Sequence, residues 1–169
     1  MILHKGEVLF RQGETGPLYH LKSGLLKIVR VHADGVLTLV NIIVPDEIIP
    51  HHSLMSPNPY YGTAIALVTC EIEVLSAPDW YRHLDDHPEK CRDIALQLQG
   101  KLRMMQQRID QLTEVSPAEK LRKLQLWFQT FIPVASLSEL LTQDEIGQLI
   151  GLRRETVNRL LRAQAANRE

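Results

Sequence analysis

Residues 142–162, near the C-terminus, constrain the fold more than any other part of the chain. The segment opens with a capping box, in which Thr142 and Glu145 each accept a hydrogen bond from a backbone N–H at the start of a helix. Gly151 stands where a tight turn needs a residue that adopts a positive φ. A second helix is expected over 153–162. The pattern predicts a helix-turn-helix, the motif that lays its second helix in the major groove of DNA.

Both predicted helices have one apolar face and one polar face. The apolar residues that we expect to be buried are Ile146, Leu149, Ile150, Val157, Leu160 and Leu161. The residues that we expect the second helix to turn outward are Arg153, Arg154, Glu155, Asn158 and Arg159. A helical hairpin with a solvated charged face is the alternative, because most charge runs in proteins are only solvated.

The order E-I-G-Q-L-I-G-L-R-R-E-T-V-N-R at 145–159 resembles the helix-turn-helix of the CRP/FNR family of bacterial transcription regulators. The recognition helix of that family typically carries R-E-T-V-x-R, and residues 154–159 match it. The resemblance implies a sequence-specific transcription regulator. Because the sequence shows no membrane span, signal-peptide core or disulfide framework, we expect a cytoplasmic protein. The resemblance also implies a homodimer on a palindromic operator with half-sites similar to TGTGA or TTGA, and RNA polymerase as a further partner.

Side-chain chemistry divides the expected DNA contacts into two groups. Guanidinium groups donate to guanine N7 and O6, and a carboxylate accepts from the cytosine amino group. The residues expected to contact base edges are Arg154, Glu155, Asn158 and Arg159. Those expected to contact phosphates, near helix N-termini, are Thr142, Gln143, Arg153 and Thr156. The net charge of the chain is −1, so the positive surface must be local, and five arginines between Arg153 and Arg168 can form it.

Residues 1–80 consist of short alternating or β-branched runs, with glycine, proline and aspartate at the turns between them. The expected strands are 7–10, 18–21, 25–31, 36–44, 62–68 and 70–75. Short strands in this number predict an antiparallel jelly roll or barrel. The opening K-G-E-V-L-F-R-Q-G-E, residues 5–14, resembles the cyclic-nucleotide-binding β-roll of the same family. The predicted fold class is α+β, with an antiparallel β-roll, a long dimerisation helix and a helix-turn-helix domain.

The loop that would hold a cyclic nucleotide lacks the required groups. Family members that bind cyclic nucleotides carry a Gly-Glu turn and an arginine there, which supply backbone donors and a positive charge to the phosphate. The corresponding positions are Ile-Pro at 49–50 and Tyr-Tyr at 60–61, and proline has no N–H to donate. No arginine occurs between Arg30 and Arg82. We therefore expect that the roll does not bind cAMP and that the protein has no cofactor.

Two histidines in this loop leave a second possibility open. They are His51 and His52. The haem-containing carbon monoxide sensor of the family places its axial histidine close to the position of His51, and it has a cysteine at the position where this chain has Ile49. Imidazole is a suitable haem ligand, so haem, or another small effector, is the alternative to solvated loop histidines. The two cysteines, Cys70 and Cys91, are too few for a four-cysteine iron–sulfur cluster and are expected to be small buried hydrophobes.

After residue 80 the apolar period changes from two to about three and a half, and residues 88–115 contain no internal proline. Apolar residues alternate at intervals of four and three, as in a coiled coil, at Cys91, Ala95, Leu98, Leu102, Met105, Ile109 and Leu112. A helix of about 28 residues is about 42 Å long, more than a small roll can cover. We expect a parallel homodimer in which the contacts are made by Leu98, Leu102, Met105, Ile109 and Leu112. The intervening polar positions, including Lys101, Arg108 and Gln111, are expected to face outward, and a helix that lies on its own roll is the alternative.

The expected domains are an effector-sensing β-roll at 1–80, the long helix at 81–115 and the helix-turn-helix domain at 116–169. Ser116 and Glu119 are expected to form a capping box before the last domain, at a junction that the family resemblance implies is a hinge. The family resemblance implies a two-stranded wing after the recognition helix, and residues 163–169 carry no strand pattern, so we expect the wing to be missing.

Two further function classes follow from these features. One is a dimeric interaction or dominant-negative protein with weak or no DNA binding, because a missing wing removes phosphate contacts. The other is an enzyme, which we do not expect because the chain has no nucleophile elbow, metal-ligand spacing or glycine-rich phosphate loop. No apolar run approaches the roughly 18 residues of a membrane span.

Overall fold

The structure is a computed structural model that describes residues 1–133 and 135–166. The chain divides into two compact units, Met1–Met104 and Met105–Glu169, and the division falls inside the long helix. The N-terminal unit is built from antiparallel sheets and the C-terminal unit from helices, which confirms the predicted α+β class.

The N-terminal unit contains eight strands. They are β1 (Ile2–Leu3), β2 (Val8–Phe10), β3 (Leu18–Ser23), β4 (Leu26–Val31), β5 (Leu37–Ile43), β6 (Ile48–Ile49), β7 (Thr63–Ala66) and β8 (Cys70–Leu75). They form two four-stranded sheets in the orders β1-β8-β3-β6 and β2-β7-β4-β5, and every pair is antiparallel. The six predicted strands are present. β1 and β6 were not expected, because two-residue strands are defined only by their partners in the sheet.

The alternation of side chains along the strands explains the core of the roll. In β8, Cys70 and Ile72 are each 1% exposed, whereas Glu71 and Glu73, which alternate with them, face solvent. A cluster of aromatic rings fills the core, with Phe10 stacked on Tyr19 at 5.6 Å and tilted against Tyr60 at 4.2 Å between ring centroids. Cys70 is therefore a buried hydrophobe, as predicted.

Three helical segments complete the N-terminal unit: a short 3₁₀ helix (His51–Ser53), α1 (Ala77–Asp86) and the start of α2 (Pro88–Thr113). The sequence does not predict α1 as a separate helix, although Ser76 followed by Ala77-Pro78 is a helix-start signal. Leu84 and Ile94 from the two helices pack with Leu18 and Leu54 of the roll. Cys91 is only half-buried beside this cluster, so it is less buried than expected.

Among its described residues, the C-terminal unit contains the end of α2 and four further helices: α3 (Pro117–Phe131), α4 (Leu137–Leu140), α5 (Gln143–Ile150) and α6 (Arg154–Ala166). The short helix α4 was not expected, although Ser136 and Glu139 form its capping box. The predicted connection at 133–141 includes Val134, which lies outside the described residues. None of the helices in the described part of the chain combines the length and the apolar character that crossing a membrane requires.

The predicted capping box at the start of α3 is only half correct. The Ser116 hydroxyl accepts from the Glu119 N–H at 3.4 Å, as expected. The Glu119 carboxylate is instead held by Arg122 at 2.7 Å, and the Ser116 N–H donates to Glu114 at 3.3 Å. Two carboxylates are close to this N-terminus, and the guanidinium one turn along the helix draws Glu119 away from the cap.

The core of the C-terminal unit joins α3 to the helix-turn-helix. Its fully buried side chains, each no more than 1% exposed, are Leu121, Leu124, Phe128, Ile146, Leu149, Ile150 and Val157. Leu160 and Leu161 are only half-buried, contrary to the prediction that both are buried in the core. Reciprocal amide hydrogen bonds between Gln125 and Gln164, at 2.9 and 3.2 Å, tie the end of α6 to α3.

Candidate nucleic-acid interface

The first helix of the motif starts at the predicted capping box. The Thr142 Oγ1 accepts from the Glu145 N–H at 3.2 Å, and the Glu145 carboxylate accepts from the Thr142 N–H at 2.8 Å. The Thr142 hydroxyl also donates to the same carboxylate at 2.9 Å. This start of α5 is therefore capped by its own side chains.

Two glycines allow the tight turn between α5 and α6. Gly151 has φ +65° and ψ 41°, the left-handed conformation that the sequence predicts for it. Gly147 was not singled out, and a Cβ there would lie 2.4 Å from the backbone oxygen of Leu152. The Leu152 N–H donates to Gly147 O at 2.9 Å, so the chain after the turn folds directly over this glycine. A glycine inside a helical pattern was the available signal.

The recognition helix presents three of the four predicted base-contacting residues to solvent. Arg154 and Glu155 lie in its first turn and Arg159 in its second, and all three are exposed. Asn158 is half-buried rather than outward, because its Oδ1 accepts a 3.4 Å hydrogen bond from Gln143 Nε2 on α5. The exposed side chains form a compact polar surface at the start of α6.

The residues predicted to contact phosphate lie at the starts of α5 and α6, where the helix dipole favours anions. Thr142 and Gln143 open α5, and Arg153 and Thr156 flank the start of α6. Arg153 is exposed, whereas Gln143 and Thr156 are half-buried.

The positive charge of this surface is not neutralised locally. Within residues 1–133 and 135–166, no carboxylate forms an ion pair with Arg153, Arg154 or Arg159. Arg168, the last of the five arginines counted in the sequence, lies outside the described residues. Unpaired guanidinium groups beside an exposed carboxylate can donate to phosphates and guanine while the carboxylate accepts from cytosine.

The end of the long helix carries polar contacts that the sequence reasoning missed. Arg108 Nη2 donates to Leu149 O at 3.1 Å, and Gln111 Nε2 donates to Lys120 O at 3.2 Å. Both residues were expected to face outward, but Gln111 is 5% exposed and Arg108 is half-buried. The heptad pattern assigns polar residues to the outside, and here α3 and α5 cover that side of the helix.

The predicted dimer contacts are mostly exposed in the single chain. Leu102, Met105, Ile109 and Leu112 are 62%, 48%, 56% and 41% exposed. Leu98 is half-buried and packs against the cluster that contains Leu18 and Ile94, so the roll of the same chain already covers part of it. The four exposed residues form an apolar stripe, named here the seam.

The roll contains a buried charge cluster next to the predicted effector loop. Glu47 is 7% exposed, and its carboxylate bonds Lys101 Nζ on α2 and lies 3.0 Å from His51 Nε2. Burial alone would raise the pKa of Glu47, but the hydrogen bonds from His51 and Lys101 outweigh it, and the net pKa is lowered. Lys101 was expected to face outward and is drawn inward by this carboxylate.

The other loop residues are held by the roll itself. His52 Nε2 lies 3.0 Å from Pro59 O, and the buried Tyr60 hydroxyl donates to Pro17 O at 2.8 Å. Burial raises the pKa of the Tyr60 hydroxyl. Arg30, on β4, stacks its guanidinium 4.0 Å from the centre of the Tyr61 ring. Among the described side chains, no group of three or more His, Cys, Asp or Glu residues is arranged to hold a metal ion.

Comparison with known proteins assigns both ends of the chain. Residues 1–87 match the model of the cyclic nucleotide-binding domain, and residues 140–163 match that of bacterial regulatory proteins, crp family. A CRP-like cAMP-activated global transcriptional regulator of Mycobacterium tuberculosis is 31% identical over 163 residues, which cover 93% of this chain and 73% of that protein. The cyclic AMP receptor protein of Thermus thermophilus is 27% identical over 164 residues, covering 95% and 74%.

The fold agrees with this assignment. The structure of FixK2 from Bradyrhizobium japonicum superposes with a TM-score of 0.82 at 16% identity, and the match covers 99% of this chain and 84% of that one. A β-roll, a long helix and a glycine-turned helix-turn-helix occur here in one order, on a chain that matches both family models. The chain belongs to the CRP/FNR family of bacterial transcription regulators, and it is a DNA-binding regulator.

Proposed function

We propose that the protein acts as a homodimer on a palindromic operator, with one α6 helix in the major groove of each half-site. The half-sites would lie about one helical turn, roughly 34 Å, apart. The exposed group of Arg154, Glu155 and Arg159 at the start of α6 carries this proposal, because its donors and acceptor match guanine and cytosine edges. RNA polymerase is the partner that follows from regulation of this kind.

The seam supports the dimer. Soluble chains rarely leave a row of large apolar side chains at 41–62% exposure along one helix face. The spacing of four and three along this row is that of a parallel two-stranded coiled coil. Burial of these four side chains against a second copy is the simplest way to remove them from water.

We also propose that cAMP is not the effector, although the Mycobacterium tuberculosis relative is cAMP-activated by name. Pro50 supplies no N–H to a phosphate. Tyr60 is 4% exposed, and its hydroxyl is already bonded to Pro17. The Arg30 guanidinium is already stacked on Tyr61.

Haem is not proposed as a cofactor, because His51 does not fit axial ligation as it stands. Its Nε2 lies 3.0 Å from Glu47, and iron would have to replace that contact and leave a buried carboxylate with one partner fewer. Purified protein without an absorbance band near 400 nm is the expected outcome, and a band there would support the haem alternative.

Selection of bound DNA from a random duplex pool tests the proposal. The wild-type protein is expected to enrich a palindrome, and cAMP in the binding buffer is expected to leave the enrichment unchanged. Glu155→Ala should relax preference at one base pair of each half-site, by about 1–3 kcal/mol of discrimination. Arg153→Ala should weaken binding to all sequences and reduce the salt dependence by about one unit of slope.

The two variants serve as controls for each other, since both truncate an exposed side chain at the start of α6. Equal losses on specific and random DNA for Glu155→Ala would refute its assignment to base recognition. Failure of the wild-type protein to enrich any sequence would favour the dimeric interaction protein instead.

A further inference from the structure

One arginine of the long helix is bonded to the helix-turn-helix. Arg108 Nη2 donates to Leu149 O at 3.1 Å. Leu149 lies in the last turn of α5, where carbonyl groups have no partner inside the helix. A cation at this position satisfies a carbonyl and interacts favourably with the helix dipole. The bond therefore holds α5 at its C-terminal end, two residues before the Gly151 turn.

The setting of Arg108 differs from that of an ordinary helix-surface arginine. Its guanidinium is half-buried, and in the described part of the chain no carboxylate lies within 4.0 Å of it. Burial lowers the pKa of the Arg108 guanidinium from its ordinary value. A partly desolvated cation without a carboxylate costs free energy that an apolar residue would not. An apolar residue would avoid this cost but could not make the bond to Leu149 O.

The neighbouring contacts join the same helix end to α3. Gln111 Nε2 donates to Lys120 O at 3.2 Å, and Lys120 Nζ donates to Leu112 O at 2.7 Å. Lys123 Nζ lies 2.6 Å from the Glu114 carboxylate. Arg108 adds the polar link to α5, and a Cβ on Gly151 would lie 3.6 Å from Leu112 Cδ2, so the turn also packs against this helix end.

We propose that Arg108 is a positioning residue for DNA recognition, which holds the helix-turn-helix in one orientation on the last turns of the long helix. In a dimer joined through that helix, two heads held in this way keep one separation between their recognition helices. A dimer with two fixed DNA-binding units is expected to bind one half-site spacing strongly and other spacings weakly. The reason is that a preorganised DNA-binding surface has no ordering cost at binding. This inference rests on the proposed dimer and palindromic operator.

The test compares half-site spacing preferences of three variants. Arg108→Gln removes the charged donor, and Arg103→Gln is the matched control, because Arg103 is exposed on the same helix and the charge change is identical. Each protein is titrated, at one salt concentration, against the selected palindrome with its spacer shortened or lengthened by single base pairs. Thermal melting of each variant is recorded alongside.

The expected result is a flattened spacing profile for Arg108→Gln. Its affinity for the preferred spacing should fall about tenfold, the loss that a charged hydrogen bond supports, whereas its affinity for other spacings should change less than about threefold. Arg103→Gln should lower affinity slightly and equally at all spacings. Arg108→Lys keeps the charge but lacks the fork of donors, so its profile should lie between wild type and Arg108→Gln.

Other outcomes would overturn the inference. A lower melting temperature with equal affinity losses at every spacing would make Arg108 a merely structural residue. If Arg108→Gln does not melt cooperatively, Arg108→Lys is the variant that tests the inference. A wild-type spacing profile for Arg108→Lys would then count against a positioning role of Arg108. Wild-type protein that selects no palindrome would refute the proposed function and this inference with it, whereas a palindrome with an unchanged Arg108→Gln profile would refute the inference alone.

Discussion

Glu47 shows how single residues connect the roll to the long helix of the same unit. Its carboxylate is buried, and it holds Lys101 of α2 and His51 of the 3₁₀ helix. The folded-state pKa lies below the ordinary value of 4.5. A depressed carboxyl pKa means that the ionised form favours folding, so the stability it contributes is present above pH 4.5 and is lost as the pH falls through the folded pKa.

Glu47→Gln is therefore expected to destabilise the protein in a pH-dependent way. At pH 7 the variant should lose about 1–3 kcal/mol of unfolding free energy, because Lys101 and His51 lose a charged acceptor. The difference from wild type should shrink as the pH falls below 4.5. Urea unfolding over a pH series measures it.

Glu73→Gln is the control, since the exposed Glu73 pairs with Lys22 at 2.9 Å on the surface of the roll. Its pKa is also lowered, by the Lys22 hydrogen bond, but solvent screens the pair, and the change in stability should be much smaller. A Glu47→Gln loss of the same size at pH 7 and well below pH 4.5 would show that packing, rather than charge, is responsible.

The helices contain two glycines with opposite structural roles. Gly147 lies inside α5, where a Cβ would meet the Leu152 oxygen at 2.4 Å, a backbone atom that cannot move alone. Gly100 lies inside α2, and a Cβ added there would have no atom within 4 Å, so the space is open. The first glycine is required by the turn of the helix-turn-helix, and the second only weakens its helix.

The same substitution at these two positions should change stability in opposite directions. Gly147→Ala is expected to cost about 1–3 kcal/mol, as an overpacked core does, and to weaken DNA binding because α5 and α6 must separate. Gly100→Ala is expected to stabilise by about 0.5–1 kcal/mol. Urea unfolding of both variants gives the comparison, and destabilisation by both would contradict the open space at Gly100.

At the scale of the whole molecule, the exposed seam favours pairing of two copies of the chain through α2. Met105, Ile109 and Leu112 are exposed on the last turns of α2, and Arg108 and Gln111 of the same turns bond the helix-turn-helix unit. One helix therefore carries both an exposed apolar face and the attachment of a DNA-binding unit. When two such helices pair, the assembly contains two DNA-binding units.

Ile109→Glu is expected to convert the proposed dimer to a monomer. Burial of one such side chain contributes about 1.5–3 kcal/mol, and each dimer contains two copies, so the dissociation constant should rise on the order of 100-fold or more. Leu96→Glu is the matched control, since Leu96 is 57% exposed against 56% for Ile109 and lies off the seam on the same helix. Analytical ultracentrifugation distinguishes the two. Equal effects of both variants, or a monomeric wild type, would argue against a seam dimer.

The fold and the motif were predictable because they depend on local patterns. The strand at 70–75, the Thr142–Glu145 capping box and the positive φ of Gly151 are each set by a few neighbouring residues, and all appear as expected. The exposed positions of Arg154, Glu155 and Arg159 follow from helical periodicity alone.

The departures concern residues whose partners are distant in sequence. Lys101 turns toward Glu47, Arg108 toward Leu149 and Gln111 toward Lys120, although the heptad pattern places all three outside. Periodicity identifies the face of a helix on which a side chain lies, but not what packs against that face. The sequence thus determined the six expected strands, the long helix and the helix-turn-helix with its exposed polar surface at the start of α6. Only the tertiary structure decided which polar side chains hold them together, because a buried polar group is positioned by the partner that satisfies it.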